Sequence, residues 1–132
     1  MTTAYFDELY RAPGSVLVAR MDDGFPASVF PALASKLALS TKALAHALGI
    51  SDRTLRNRTR KLTGDEAERS FRAYRVFRRA TEVLGTEEAA TAWLATPQIA
   101  LGEKKPLELL KRDVGANEVL DVLGGIEDGG YL

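Results

Sequence analysis

The chain has 132 residues and 45% hydrophobic content, which suits one small domain or two helical subdomains sharing a core and is too apolar for a disordered segment. Its 18 Lys and Arg cancel its 18 Asp and Glu, and it has no Cys, so disulfides and thiolate metal sites are excluded. The apolar runs stop far short of the ~20 residues that cross a bilayer. A single His (His46), set between Ala45 and Ala47, and carboxylates without a paired spacing leave little for an enzyme: no catalytic residue, no metal site and no cofactor is expected.

Residues 1–25 are the least legible. Val16-Leu17-Val18-Ala19 reads as a short strand or a helical turn, between the turn signals Pro13-Gly14 and Asp23-Gly24. No basic region followed by an apolar stretch opens the chain, so a cytoplasmic location without membrane attachment is expected. Pro26 suits the first turn of a helix over 26–39, with Val29, Phe30, Leu33 and Leu37 at helical spacing. Ser40 caps a short helix over 41–48, and Gly49 ends it. Ser51 caps a further helix over 52–62 that buries Leu55, Thr59 and Leu62. Thr63 and Glu66 form a capping box for a long helix over 65–84. Its buried stripe is Ala67, Phe71, Tyr74, Phe77 and Leu84, and Arg69, Arg72, Arg75, Arg78 and Arg79 read as its solvated circumference. Gly85 terminates it. Thr86 caps a helix over 87–95 with Trp93 and Leu94 in the core, a loop follows over 97–105, Pro106 opens a short helix over 106–112, and a last helix spans 116–127. The pattern is all-α, with about seven helices. The Gly124-Gly125 and Gly129-Gly130 pairs follow no strand and are not phosphate loops.

The zero net charge conceals a split. Residues 51–81 carry ten Lys or Arg against four Asp or Glu, and residues 82–132 carry four against ten. One segment is built to meet an anion and the next has the opposite sign, which points toward nucleic acid and a second charged partner.

The basic block contains the sharpest local motif. Two short helices meet at Gly49, with the small Ala45 before it and Ile50 after it, as in a helix-turn-helix. The second helix would enter the major groove of double-stranded DNA, led by Ser51. Arg53, Arg56 and Asn57 suit base edges, because Arg pairs with guanine and Asn with adenine through two hydrogen bonds. Thr54, Arg58, Arg60 and Lys61 suit phosphates. An ordinary helical hairpin with a wet basic face is the plain alternative.

The run Trp93-Leu94-Ala95-Thr96-Pro97-Gln98-Ile99-Ala100-Leu101-Gly102-Glu103-Lys104-Lys105-Pro106-Leu107, with Gly115, Val119 and Leu123, resembles the toxin-binding domain of Xre/MbcA/ParS-type antitoxins. Gln98 stands where that family usually has Asn, and Glu103 where it has a second Gly. The resemblance covers roughly residues 24–129. It implies an Xre-like helix-turn-helix over 24–64, a linking helix and a small helical toxin-binding domain over 65–132, and an unassigned extension over 1–23. It also implies an antitoxin of a type II toxin–antitoxin system, whose partners are a RES-domain toxin that consumes NAD and the antitoxin's own operator, bound as a homodimer. Gln98, Leu101, Gly102, Lys104 and Glu118 are the expected toxin-binding residues. Tyr131 and Leu132, at the end of an acidic segment, are expected to cover the toxin's electropositive cleft. A stand-alone helix-turn-helix regulator that dimerises through its C-terminal part is the alternative.

Overall fold

A computed structural model describes residues 3–56 and 60–129. The fold is all-α apart from one two-stranded ribbon. The chain divides into two compact units, 1–71 and 72–132, and the division falls inside one continuous helix.

The first unit opens with two helices, the second of which covers Val16-Leu17-Val18-Ala19, where a short strand or a helical turn was expected. Helix α1, Ala4–Arg11, buries Phe6 and Leu9. Helix α2, Gly14–Asp23, starts after Pro13 and buries no residue fully; Val16 and Val18 stay exposed. Gly24 ends it with φ +96°, and a Cβ there would lie 3.0 Å from Lys61 Cβ and Thr63 Cγ2. Both the positive φ and the close approach require glycine. The chain then forms strand β1, Phe25–Pro26, so Pro26 is not the first turn of a helix. Strand β1 pairs antiparallel with strand β2, Lys61–Leu62, in the register Phe25↔Leu62 and Pro26↔Lys61. Phe25 and Leu62 are fully buried, and Phe25 packs edge-on against Tyr5 and Phe6 at 5.4 and 5.9 Å between ring centres.

Helix α3, Val29–Lys36, buries Phe30, Leu33 and Ala34. Helix α4, Thr41–Leu48, has the expected cap: Ser40 Oγ accepts from the Ala43 N–H at 3.0 Å. Gly49 takes the left-handed conformation, φ +68°, and the buried Ile50 donates its N–H to Ala45 O at 2.9 Å. Helix α5 is described over Asp52–Arg56. A helix continuing to residue 62 is ruled out by β2, whose partner strand lies 36 positions back in the chain. Helix α6, Asp65–Leu84, begins at the expected box, with the Thr63 N–H donating to Glu66 Oε1.

In the second unit, Thr86 Oγ1 accepts from Ala89 N–H and caps helix α7, Glu87–Leu94. Two 3-10 turns follow, Ile99–Leu101 and Pro106–Leu109. The second replaces the expected helix over 106–112. Helix α8, Asp113–Glu127, starts three residues earlier than expected and so contains Gly115. A Cβ on Gly115 would lie 2.1 Å from Leu109 O, so α8 crosses the 3-10 turn at a distance that only glycine permits. Tyr74, Phe77, Leu94, Leu110, Val119 and Leu123 form the buried core of this unit. No described helix is long and apolar enough to cross a membrane.

Candidate DNA-binding and partner-binding surfaces

The turn between α4 and α5 is held from both sides. Ser51 Oγ accepts from the Thr54 N–H at 3.3 Å, capping α5, and shares a hydrogen bond with Thr54 Oγ1 at 3.0 Å. Thr54 is therefore 5% exposed with its hydroxyl satisfied, and Leu55 is only half-buried. Arg69, from α6, donates Nη1 to Leu48 O and Gly49 O at 3.4 and 3.3 Å, which satisfies carbonyls that the end of α4 leaves open.

Of the expected DNA-contacting residues, Ser51, Arg53, Arg56, Arg60 and Lys61 are exposed. Arg60 O accepts from the Ala27 N–H at 3.3 Å. Lys61 stands on β2, not on a helix, and its ammonium reaches Asp23 O and Oδ2 at 3.4 and 3.5 Å. Asn57 and Arg58, with Thr59, lie outside the described residues.

The arginines of α6 differ from the wet circumference expected of them. Arg72 is 9% exposed. Its Nη1 donates to Leu110 O and Lys111 O at 3.1 and 3.0 Å, and its Nη2 meets Asp113 at 2.6 Å. Arg78 donates to Tyr74 Oη at 2.9 Å and lies over that ring. Arg79 forms a two-pronged pair with Glu127 at 3.0 and 2.6 Å. The hydrogen bond from Arg79 pulls the Glu127 carboxyl below its ordinary value, and the same contact raises the Arg79 guanidinium. Arg75 is exposed.

The expected partner-binding residues fall into two places. Gln98 pairs with Lys104 in an isolated antiparallel bridge that closes the loop between them. Within the loop Leu101 is buried, and Gly102 and Lys104 are exposed. Gly102 and Glu103 both have left-handed backbones, φ +66° and +68°. The Lys104 N–H donates to Leu101 O at 3.4 Å across them, the arrangement of a type I′ turn. Trp93, expected in the core, is half-exposed and lines a cavity of about 670 Å³ with Pro97, Ile99, Ala100, Val122 and Ile126. Glu118 stands elsewhere, at a shallower hollow beside Leu109, Arg112 and Val114. Tyr131 and Leu132 lie outside the described residues. Sequence reasoning missed Ile99 and Val114, which are 85% and 79% exposed; their only signal was an apolar residue that no helical stripe used.

The comparisons with other proteins agree with this division. The family model of the antitoxin Xre-like helix-turn-helix domain matches residues 17–75. That of the antitoxin Xre/MbcA/ParS C-terminal toxin-binding domain matches residues 79–129. The antitoxin Xre of Yersinia enterocolitica is 34% identical over 120 residues, covering 88% of this chain and 81% of the relative. The antitoxin Xre of Photorhabdus laumondii is 28% identical over 120 residues with the same coverage.

Proposed function

The chain belongs to the Xre antitoxin family, and from that premise we infer that it is the antitoxin of a type II system, neutralising a RES-domain toxin that consumes NAD and repressing its own operator. The observation that carries the reading is the pairing in one chain of a capped helix-turn-helix with exposed Arg53 and Arg56 and a separate unit matched by a toxin-binding domain. Arg53 and Arg56 read base edges from α5, and Ser51 and Arg60 hold phosphates. Thr54 acts by fixing the start of α5, since its hydroxyl is committed to Ser51. One such unit covers a half-site, so the operator is bound by a homodimer.

The C-terminal part of the chain covers the toxin's cleft. Segment 82–132 carries four Lys or Arg against ten Asp or Glu, which complements a pocket shaped for a dinucleotide pyrophosphate. The protein acts as a binding partner and not as an enzyme, in the cytoplasm. Co-expression with the protein of the neighbouring reading frame, expected to be a RES-domain toxin, tests this. The expected result is a stoichiometric complex in which NAD consumption stops, together with salt-dependent binding of the promoter fragment. A chain that binds the promoter but recovers no RES-domain protein would be a stand-alone regulator. Deleting residues 129–132 is expected to weaken neutralisation and leave promoter binding intact.

A further inference from the structure

A surface groove of the second unit has a lining without charge: Trp93 from α7, Pro97, Ile99 and Ala100 from the following turn, and Val122 and Ile126 from α8, around about 670 Å³. Gln98 carries its amide side chain, and the Nε2 of that amide is committed, donating to Trp93 O at 3.2 Å and Thr96 O at 3.0 Å. Ile99 projects 85% exposed at the lip. It does not sit on a loose segment. The Gly102 N–H donates to Ile99 O at 3.0 Å, Leu101 N–H and Glu103 N–H both donate to Gln98 O, and Gln98 N–H donates to Lys104 O at 3.0 Å. Leu101, 4% exposed, pegs the loop to the core. A large aliphatic side chain held in water by a fixed backbone is preorganised for docking, because ordering it on binding costs little entropy. At the same edge Glu103 is exposed, hydrogen-bonded through its backbone to the groove-lining Gln98, and held in a left-handed conformation that favours glycine.

We propose that this groove, with Ile99 at its lip, seats an apolar side chain of the cognate toxin, and that Glu103 pairs with a Lys or Arg beside that side chain. The proposal rests on the antitoxin reading above and adds the surface and the chemistry of the contact. Two observations name the occupant. Every lining residue lies within residues 79–129, matched by the toxin-binding domain. Segment 82–132 carries ten Asp or Glu against four Lys or Arg, so an apolar anchor flanked by a cation complements it, whereas a symmetric pairing of two copies groove to groove would set acidic segment against acidic segment.

The test uses the full chain and the RES-domain protein of the neighbouring reading frame. Ile99→Asp is expected to weaken that complex on the order of 100-fold, and Glu103→Lys about tenfold. Both variants should bind the promoter fragment like the wild type and keep its thermal midpoint within about a degree or above it, since Ile99 is outside the core. Toxin affinity unchanged in Ile99→Asp overturns the proposal. So does a variant that loses self-association in sedimentation while keeping toxin affinity, because the groove would then join two copies. If the wild type itself forms no complex with the RES-domain protein, the antitoxin reading fails, and this proposal with it.

Discussion

Helices α5 and α6 carry the same kind of charge and use it in opposite ways. On α5, Arg53 and Arg56 are exposed to solvent. On α6, Arg69 closes the end of α4, Arg72 is buried on two carbonyls and Asp113, Arg78 sits on Tyr74, and Arg79 grips Glu127. The basic block of the sequence is therefore two things: a short surface that can meet phosphate and a long strut on which Arg69, Arg72, Arg78 and Arg79 hold the protein's own oxygens while Arg75 stays exposed. Net charge alone cannot separate them. Burial and hydrogen-bond partners can, because a guanidinium satisfied by backbone carbonyls has already left water.

The contrast is easiest to break at Arg72. Its removal leaves Leu110 O and Lys111 O without their donor and Asp113 without its partner. Arg72→Ala is expected to cost about 3 kcal/mol of stability, read from the urea midpoint of the full chain. Asp113 is largely exposed and can rehydrate, so most of that loss belongs to the carbonyls and to the packing of the side chain. An unchanged midpoint would return α6 to the status of a wet helix.

The opposite signature is expected on α5. Arg53→Ala and Arg56→Ala should each lose about 1–3 kcal/mol of promoter affinity while stability moves by no more than about 0.5 kcal/mol. Anisotropy titrations read the affinity and urea midpoints the stability; at a second salt concentration, a flattened dependence would place the lost arginine on phosphate and not on a base edge. Arg79→Ala in the same assay should leave affinity and slope unchanged. A comparable loss in Arg79→Ala would mean that α6 also touches DNA.

The difference between the helices was partly legible in the sequence. Local chemistry was readable: Ser40, Ser51, Thr86 and the Thr63–Glu66 pair are caps because an orphan N–H needs an oxygen one turn away, and Gly49 ends α4 because only glycine takes φ +68° without strain. What depended on distant partners was not. The ribbon is two residues per strand, too short for an alternating pattern, and it places Lys61–Leu62 on a strand paired with Phe25–Pro26 instead of on a helix. Arg72 looked like its neighbours because its partners lie 38 to 41 positions away. Helix α2 was missed because it has no buried stripe to reveal its period. The partner-binding residues expected from resemblance included Leu101, which is buried as the loop's peg, and omitted the exposed Ile99 beside it.

Arg69 sharpens the comparison, since it lies on the strut but serves the reading head. Arg69→Met keeps the aliphatic stem and removes the donor to Leu48 O and Gly49 O. Both contacts are long and partly exposed, so a loss of about 1 kcal/mol in stability is expected. Promoter affinity should fall in the same variant, because the turn that aims α5 loses its clamp. If stability falls and affinity does not, the turn is held by its own caps.

The smallest effect concerns the Arg79–Glu127 pair, and its sign follows from the direction of the shift. Glu127 titrates below its ordinary value of 4.5 in the folded chain because Arg79 stabilises the carboxylate. The unfolded state therefore binds its proton first as pH falls, so the pair stabilises the fold above the ordinary carboxylate value and the benefit fades as pH drops through the folded one. The pair is half-exposed and open to salt. Glu127→Gln should therefore be measurably less stable than the wild type at pH 7 in low salt, and the two denaturation curves should converge as pH falls below the ordinary carboxylate value of 4.5 and in high salt. Convergence at low pH without any salt dependence would mean that the two-pronged hydrogen bond, and not the charge, is what Arg79 contributes at the end of α8.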